Sequence, residues 1–559
     1  SIRRQRQMCI RDRNNNNNKE RMRCVTLSWR ALIRTRTISS TSSSSSSYRH
    51  SSRIVITPVS AVTTTTTTTN RSISTSSYNN KPTAIYNYND SNNSYDSRLQ
   101  VPPHRQVAIV GAKSMVREGV KQGGGEEEEE ERVNVSTTAM IGDVLKSALD
   151  QAGLTVLDLD GIVAVPSLSG NHFMEAHYQA TALGLFEQKQ DKPLQCHTLD
   201  TGGAGPVSAL LHGEQMISSG NSSSGMDVVA VIAADAVGSM TGKQFLNKAD
   251  DIFFKLRDEL KLPKDYVICP AIPHGYDRIT EHQLLSSSSS SSLTRDQLRM
   301  TVCLESFHAG LHPESLQSQK AASKANSKQS SSSSSSASYA TLSDVQASPL
   351  VTNNISQMEC ARRADGAACL ILASNQVLQE RNLWKAGIPV VIGGGQASGP
   401  LYPPQNITDY TYMSCKQAMD QAYASAGDLS VNDIQYFGLY DCFPICLIRA
   451  IEACGLADDG GGGEYVQKQY ERLLVAIENG TVEALLTDPT FFPINTHGGL
   501  LCYGAPWEVP AMFNIVEAVD QLQGQSQGRA IDNCQRALVY GNGGVLSASA
   551  VAILETSCL

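Results

Sequence analysis

The sequence predicts an α/β protein made of two duplicated βαβαβ-type halves, in which helices cover mixed sheets. The first observation is that "MIGDVLKSALDQAGLTVLDLDGIVAV" from Met140 and "MSCKQAMDQAYASAGDLSVNDIQYFGLYDCF" from Met413 follow one pattern. Each segment combines an amphipathic helix, an Ala-Gly stop, an acidic turn and an apolar strand. Two segments that repeat this order indicate an internal duplication.

The second observation is that the later elements of each half also correspond. "HTLDTGGAGPVSALLHGEQMISSG" precedes the strand "MDVVAVIAADAV", and "FPINTHGGLLCYGAPWEVPAMFNIVEAVDQLQG" precedes "RALVYGNGGVLSASAVAIL". In both halves a polar strand end leads through glycines into a helix and then a buried strand. We therefore expect an N-terminal half at 101–385 and a C-terminal half at 386–559. In such folds the site lies where strand ends and helix N-termini converge.

Low-complexity blocks interrupt these halves. Because such tracts cannot form a packed core, we interpret them as solvated surface-loop insertions. The blocks are 126–131, 286–292, 330–336 and 460–463.

The first hundred residues are expected to form a disordered N-terminal extension. Within it, "MCIRDR" resembles a translated sequencing adapter, so we interpret residues 1–21 as an assembly artefact and Met22 as the start. The segment that follows Met22 is rich in Arg and Ser and lacks acidic residues, which favours a mitochondrial transit peptide over a plain basic tail. Peroxisomal targeting is the alternative, because Ser557, Cys558 and Leu559 partly match the Ser-Lys-Leu signal.

Composition narrows the function classes for this 559-residue chain. A net charge of −8 argues against nucleic acid or an anionic membrane as the main partner. No run of about 18 apolar residues is present, so we expect no membrane span. The 14 cysteines contain no CxxC pair, which argues against a disulfide framework and against a zinc site.

The stretch "CHTLDTGGAGPVSALLHGEQMISSG" is the first candidate site. Its glycines, including Gly202 and Gly203, separate an extended run from a helical pattern. Such a turn can hold a phosphate, carry a nucleophile or simply pack closely. Phosphate binding is disfavoured because neither the P-loop spacing nor the dinucleotide spacing is present.

Seven segments, in this order, resemble the thiolase superfamily, specifically its sterol-carrier and lipid-transfer type. The resemblance covers about residues 105–555. The segments are "AGLTVLDLDGI", the glycine loop at 202, "LTRDQLRMTVCLESFHAGLHPESL", "ECARRADGAACLILAS", "YDCF", "NTHGGLLCYGAPWE" and "YGNGG". The resemblance implies a thiolase-like fold and action on CoA thioesters, with no other cofactor and no metal. Thiolases acylate a cysteine at a helix N-terminus, which a histidine of a Gly-His-Pro loop activates.

Position by position, the resemblance implies that this machinery is largely replaced. The nucleophile's place falls on Gly203, and the histidine of the His-Asp-Cys-Phe motif becomes Tyr440. The Gly-His-Pro loop reads Gly-Ala-Pro, with Ala505 in place of the histidine. The final cysteine aligns with Tyr540 or Gly541. Thiolysis through an acyl-cysteine at position 203 is therefore excluded.

Three functions remain open at this point. The first is a carbon–carbon lyase similar to thiolase-like steroid side-chain aldolases, which carry a Tyr-Asp-x-Phe motif. In that case Tyr440 is the acid/base if its pKa is lowered, and His497 polarises the carbonyl or relays the proton. Backbone N–H groups hold an oxyanion or the substrate. The glycines assigned to this loop set are Gly202, Gly203, Gly498, Gly499 and Gly543.

The second function is an acyltransferase with a relocated thiol, Cys442 or Cys502, and the third is a non-catalytic acyl-CoA or lipid binder. Structural roles are also open for Tyr440 and His497, as a buried tyrosine and a loop cap. Structural roles are favoured for His308, His312 and Glu508, the last because it follows Pro506 at an apparent helix start. The resemblance further implies a homodimer and a small zinc-containing OB-fold partner.

Overall fold

A computed structural model provides the structure of the protein. The residues that it describes are 106–119, 136–189, 193–219, 226–285, 293–327, 339–385, 387–404 and 410–557. Several predictions lie outside the described residues: those for the extension 1–100, for Cys558 and Leu559, and for the insertions at 126–131, 286–292 and 330–336.

Within the described residues, nine strands form one mixed sheet in the order β3-β2-β4-β5-β1-β6-β9-β8-β7. The strands are β1 (Val107–Arg117), β2 (Gly161–Ala164), β3 (Gln195–Thr198), β4 (Val228–Asp235), β5 (Asp365–Ser374), β6 (Pro389–Ser398), β7 (Tyr436–Gly438), β8 (Arg536–Gly543) and β9 (Ala548–Thr556). The predicted mixed α/β fold is confirmed. The strands of the two predicted halves lie in one continuous sheet, joined where Ala108 of β1 pairs with Val390 of β6.

The strand directions show that the two parts of the sheet repeat the same arrangement. β2 runs parallel to β4, and β4 and β1 flank β5 in antiparallel directions. The C-terminal strands repeat this arrangement: β7 runs parallel to β8, and β8 and β6 flank β9 in antiparallel directions. β3 continues the first set as a parallel strand, and the parallel bridge from Phe437 to Ile494 occupies the matching place in the second. The two glycine segments therefore follow equivalent positions of the sheet.

In the part of the chain that the structure describes, fifteen helices accompany the strands. They are α1 (Thr137–Ala152), α2 (Glu175–Ala182), α3 (Leu185–Gln188), α4 (Gly205–Ser218), α5 (Gly242–Glu259), α6 (Ala271–Leu285), α7 (Arg295–Leu311), α8 (Leu316–Ser327), α9 (Leu342–Gln346), α10 (Asn375–Glu380), α11 (Tyr410–Ser425), α12 (Pro444–Ala453), α13 (Gly462–Asn479), α14 (Val482–Leu486) and α15 (Pro510–Leu522). Within the described segments, none of them is long and apolar enough to cross a membrane.

The predicted helix starts and stops of the first half have a local cause. The Ser136 hydroxyl accepts a hydrogen bond from the N–H of Ala139 at the start of α1, and Gly153 ends the helix in the left-handed conformation. α1 covers one face of the central strands. The side chains of Val228, Ala230 and Ile232 of β4 lie on this face and pack with those of α1. α4 and α15 pack against each other on the opposite face. Because both faces are covered, β4 is buried along its whole length, as the apolar run predicted.

The prediction of a solvated insertion at 460–463 is wrong for its second half, whereas Gly460 lies before the helix with open space around it. Gly462 and Gly463 are buried and begin α13. A Cβ on Gly462 would stand 3.0 Å from both Glu452 Oε1 and the Ile448 side chain. The glycines therefore allow α13 to pack closely on α12, which composition alone does not reveal.

Candidate active site

A cavity of about 400 Å³ lies where the first glycine turn meets the end of β8. Gly202 and Gly203 line it from the turn, Gly543 from β8, and Tyr440 and Cys442 from the segment after β7. The helices α5 and α6 supply a mostly apolar wall that includes Phe245, Phe253 and Ile272. The structure thus brings together five of the predicted site residues in one enclosed space.

Tyr440 occupies the space that a side chain at position 203 would need. A Cβ added to Gly203 would overlap the Tyr440 hydroxyl and the backbone carbonyl of Asn542. Gly202 has a φ of +61° and approaches Gly543 backbone to backbone, since its Cβ would lie 3.0 Å from the Gly543 Cα. The glycines therefore allow a close approach between the turn, β8 and a phenol. The absence of a side chain at Gly203 leaves no empty space, because the Tyr440 hydroxyl fills that volume.

The Tyr440 hydroxyl is a neutral phenol in this setting. Burial raises its pKa well above the ordinary value, and nearby Cys442, Cys446 and Glu508 act in the same direction. The condition for a tyrosine base, a pKa lowered by cations, is therefore not met. A neutral hydroxyl can still donate a hydrogen bond or a proton to a substrate oxygen.

The two candidate thiols lie in different surroundings. Cys442 lines the cavity and is half-buried. Cys502 is buried outside the cavity lining, with its Sγ 3.9 Å from the Val302 carbonyl oxygen, and burial raises its pKa. Its predicted place in the cleft is wrong, because it lies in a turn of π-helix, Gly499–Tyr503, whose side chains pack into the protein.

His497 does not reach the Tyr440 cavity. It lines a separate polar cavity of about 70 Å³ together with His312, and packs edge-on against Tyr503 with 4.9 Å between ring centres. Burial lowers the pKa of His497 well below its ordinary value, and His312 and His308 lower it further. A neutral imidazole outside the large cavity cannot polarise a carbonyl bound beside Tyr440.

The second glycine loop also turns its N–H groups inward. The Gly498 N–H donates to the Asn495 carbonyl at 2.7 Å, and the next two amides after Gly499, those of Leu500 and Leu501, donate to the Asp441 carboxylate. A Cβ on Gly499 would overlap that carboxylate. Neither Gly498 nor Gly499 is among the residues that line the Tyr440 cavity, so the predicted oxyanion role for these two glycines is wrong in this cavity.

Glu508 is a cavity residue that the sequence interpretation missed. α15 begins at Pro510, so Glu508 precedes the helix and is not an acid of its first turn. It lines the cavity, and its buried Oε2 has no hydrogen-bond partner among the described residues. Burial raises its pKa to about 8, and the nearby Asp200 and Asp235 contribute. The sequence signal that could have identified Glu508 is its spacing from Ala505. It lies three residues after Ala505, the position at which the resemblance to thiolases places their histidine.

Two further polar residues were also missed, Tyr276 of α6 and Asn542 of β8. Asn542 Nδ2 donates to the Tyr276 hydroxyl at 2.7 Å, and that hydroxyl donates to the Gly544 carbonyl at 3.3 Å. The Tyr276 ring stacks on Phe443 with 4.6 Å between centres. Asn542 lies in the "YGNGG" segment and could have been suspected, whereas no motif marks Tyr276.

The rim of the cavity carries one exposed cation and two aromatic rings. The Arg363 guanidinium lies 4.9 Å from the centre of the Phe245 ring and donates to the Met240 carbonyl at 3.4 Å. Trp507 packs edge-on against the same ring with 5.5 Å between centres. Across the described ranges, no group of three His, Cys, Asp or Glu side chains is arranged to hold a metal ion.

The C-terminal part of the chain matches a family model. Residues 404–556 match the thiolase C-terminal domain-like family. Acetyl-CoA acetyltransferase of Methanothermobacter thermautotrophicus is 23% identical over 457 residues, which cover 81% of this chain and 100% of that protein. Sterol carrier protein 2 of Bos taurus is 26% identical over 208 residues, which are 36% of this chain but only 35% of that protein.

Solved structures share the fold. The Ltp2-ChsH2(DUF35) aldolase superposes with a TM-score of 0.56 at 19% identity, over 81% of this chain and 99% of the other. A monomeric SCP2-thiolase like protein type 1 from Mycobacterium smegmatis gives 0.52 at 16% identity, over 81% and 78% of the two chains. With the duplicated sheet, these similarities show a thiolase fold, and they make the chain similar to SCP2-thiolase-like proteins of the thiolase superfamily.

Proposed function

We propose that this protein breaks or forms a carbon–carbon bond beside an acyl-CoA thioester, in lipid or sterol side-chain metabolism, without an acyl-cysteine. The observation that carries the proposal is that the Tyr440 hydroxyl fills the place of a side chain at Gly203. A thioester carbonyl in this cavity would meet a hydrogen-bond donor instead of a thiolate. The proposal extends to this chain the aldolase activity that one structural neighbour carries in its name.

The chemistry that suits such a cavity is a retro-aldol cleavage. A base removes the hydroxyl proton of a β-hydroxyacyl thioester, and the electrons of the carbon–carbon bond pass into the thioester as an enolate. A neutral Tyr440 stabilises the charge on the enolate oxygen by donating a hydrogen bond in a site with little water. A carbonyl compound leaves, and protonation of the enolate carbon completes the shortened acyl-CoA.

The walls of the cavity favour a substrate with an apolar chain and an anionic end. Phe245, Phe253 and Ile272 offer apolar surface of the kind that holds acyl or sterol groups. Arg363 at the rim offers a guanidinium for a phosphate of CoA. CoA thioester as the substrate, with no further cofactor, is part of this proposal.

A non-catalytic acyl-CoA or lipid binder is the second candidate. Two raised pKa values favour it, because they leave the cavity without a ready base or nucleophile. Burial raises the pKa of Tyr440, and it raises the pKa of Cys360, another thiol of the cavity, to about 12. An acyltransferase through Cys442 is the third candidate, because Cys442 also lines the cavity.

The proposal also includes a homodimer, a small zinc-containing OB-fold partner and a mitochondrial location. β3 lies at an edge of the sheet, so its free side could pair with a second copy. One structural neighbour is named together with a DUF35 protein, whereas another is named as monomeric. Light scattering of the purified chain, alone and with an OB-fold candidate, decides between these arrangements.

The decisive assay offers the purified protein β-hydroxyacyl-CoA and acetoacetyl-CoA and follows products and protein mass by mass spectrometry. We expect cleavage of the β-hydroxyacyl thioester without a covalent adduct, and a loss of at least about 100-fold in Tyr440→Phe. Tyr423→Phe is the matched control, since its hydroxyl donates to the Cys454 carbonyl away from the cavity. A stable acyl adduct on Cys442 would establish the acyltransferase instead. Tight binding without turnover would establish the binder.

A further inference from the structure

We propose that Glu508 is the proton-transfer residue of this cavity, and that Tyr440 serves only as hydrogen-bond donor to the substrate oxygen. The proposal rests on the function proposed above and assigns its acid/base group. Glu508 lines the same cavity as Tyr440 and Gly203. Its buried Oε2 has no hydrogen-bond partner among the described residues, so it is available to a substrate hydroxyl.

The backbone beside Glu508 is held in an unfavourable conformation. Trp507 has a φ of +48°, in the left-handed region that costs a bulky residue about 1–3 kcal/mol. The edge-on contact of its ring with Phe245 helps to hold it there. The chain then enters α15 at Pro510, with Val509 as N-cap. Strain of this kind is found where a structure fixes a functional group, and here the adjacent residue is the acid that lines the cavity.

Several other acids lie around the cavity, and backbone amides hold most of them. Asp235 accepts the N–H groups of Leu168, Ser169 and Ala236. Asp250 also lines the cavity: its Oδ1 accepts the Ala271 N–H at 3.0 Å, and its Oδ2 is buried without a hydrogen-bond partner among the described residues.

Asp200 is exposed and lies 3.4 Å from the Gly202 amide. Asp441, beside Tyr440, is held by the two amides of the second glycine loop. Glu508 and Asp250 both line the cavity with an oxygen that has no hydrogen-bond partner among the described residues. Asp250 is bonded to the first residue of α6, whereas Glu508 lies close enough to Tyr440 to raise its pKa.

The charges around Glu508 suit a group that gains and loses a proton near neutral pH. Burial raises its pKa to about 8, the carboxylates of Asp200 and Asp235 add to the effect, and a hydrogen bond with the Trp507 side chain opposes it. Tyr440 adds no charge, because burial keeps its hydroxyl neutral, and Arg363 stands at the exposed rim. Acid/base catalysts work best when their pKa lies near the working pH.

The step balances without any further reactant. The Glu508 carboxylate takes the hydroxyl proton as the substrate C–O bond becomes a carbonyl and the carbon–carbon bond breaks. The electron pair of that bond forms the thioester enolate. Glu508, now a carboxylic acid, returns the proton to the enolate carbon and is again a carboxylate when the products leave.

The test compares Glu508→Gln and Glu508→Asp with a matched control, Glu452→Gln. Glu452 is also a buried acid, but it accepts the Gly462 N–H at 3.1 Å outside the cavity. In the wild type we expect kcat for a β-hydroxyacyl-CoA to rise with pH and level off above about pH 8. In Glu508→Gln we expect kcat to fall about 100-fold or more, KM to change little, and this pH dependence to disappear. Glu508→Asp should restore part of kcat, and Glu452→Gln should behave as wild type.

A second measurement keeps the proposal independent of any folding defect. Circular dichroism establishes that Glu508→Gln is folded, and carboxyl NMR of the wild type should show a glutamate titrating near pH 8 that the variant lacks. If the wild type cleaves substrate and folded Glu508→Gln keeps its rate and pH profile, the Glu508 assignment is overturned and the function stands. If the wild type turns over no β-hydroxyacyl thioester, the proposed function fails and the Glu508 assignment fails with it.

Discussion

The hydroxyl of Tyr440 lies against the α-carbon of Gly203, in the volume that a side chain at position 203 would need. The two positions are therefore linked: a residue larger than glycine and a tyrosine cannot both be accommodated without movement. A side chain at 203 and the phenol at 440 are alternative ways to fill one space. The glycine at 203 and the tyrosine at 440 therefore depend on each other.

This linkage predicts an interaction between mutations. Gly203→Ala should destabilise the protein by about 1–3 kcal/mol, because the new methyl group overlaps the Tyr440 hydroxyl. In a Tyr440→Ala background the same change should cost clearly less, although the Asn542 carbonyl still limits the space. Urea unfolding of the four proteins gives the coupling energy. Strictly additive effects would show that the contact does not constrain position 203.

The second glycine loop predicts a strong effect at Gly499. This residue has a φ of +58°, and its Cβ would overlap the Asp441 carboxylate that accepts the Leu500 amide at 2.8 Å. We expect Gly499→Ala to cost more than about 2 kcal/mol and to weaken thioester binding, since Leu500 lines the cavity. Gly524→Ala is the control, with a φ of +64° but open space around its Cβ. Equal losses of unfolding free energy in Gly499→Ala and Gly524→Ala would show that the overlap with Asp441 adds nothing to the cost.

Arg295 and Glu359 form an ion pair, and replacing one partner should cost more unfolding free energy than replacing the other. Both carboxylate oxygens of Glu359 accept from Arg295, at 2.7 and 2.9 Å, and the Glu359 side chain is 1% exposed. Arg295→Leu leaves that carboxylate buried and unpaired with a cation, so unfolding free energy should fall by about 3 kcal/mol. Glu359→Gln leaves Arg295 partly in water and should cost less. The double mutant should be more stable than Arg295→Leu alone, and chemical denaturation tests this order.

Buried His312 predicts a loss of stability in acid. Burial lowers its pKa to about 4, so below pH 6.5 the unfolded chain binds a proton that the folded residue does not. The free energy of unfolding should therefore fall as pH drops from about 6.5 to 4, by roughly 2–3 kcal/mol from this residue. His312→Asn should reduce the pH dependence, whereas His177→Asn, at an exposed position of α2, should not. A wild-type pH profile retained in His312→Asn would contradict the assignment.

The sequence predicted the duplicated fold because local patterns encode it. Apolar periodicity marked β4, and the Ala-Gly stop after α1 marked a left-handed helix end at Gly153. The same patterns placed the Gly203 turn and the Tyr440 segment at strand ends that were expected to converge, and these two do meet. His497 lies in the segment equivalent to the Gly203 turn and was expected at the same place, but it lines a separate cavity.

Residue identity and spacing along the chain predicted the two-half α/β architecture and put a glycine at 203 and a tyrosine at 440. Which side of each glycine loop faces the cavity follows from the tertiary structure alone. Asp441 binds the amides that follow Gly499, and His497 turns into a separate polar cavity. The left-handed backbone at Trp507 leaves Glu508 lining the large one. Such choices depend on hydrogen bonds and packing between segments far apart in the chain, which no local pattern records.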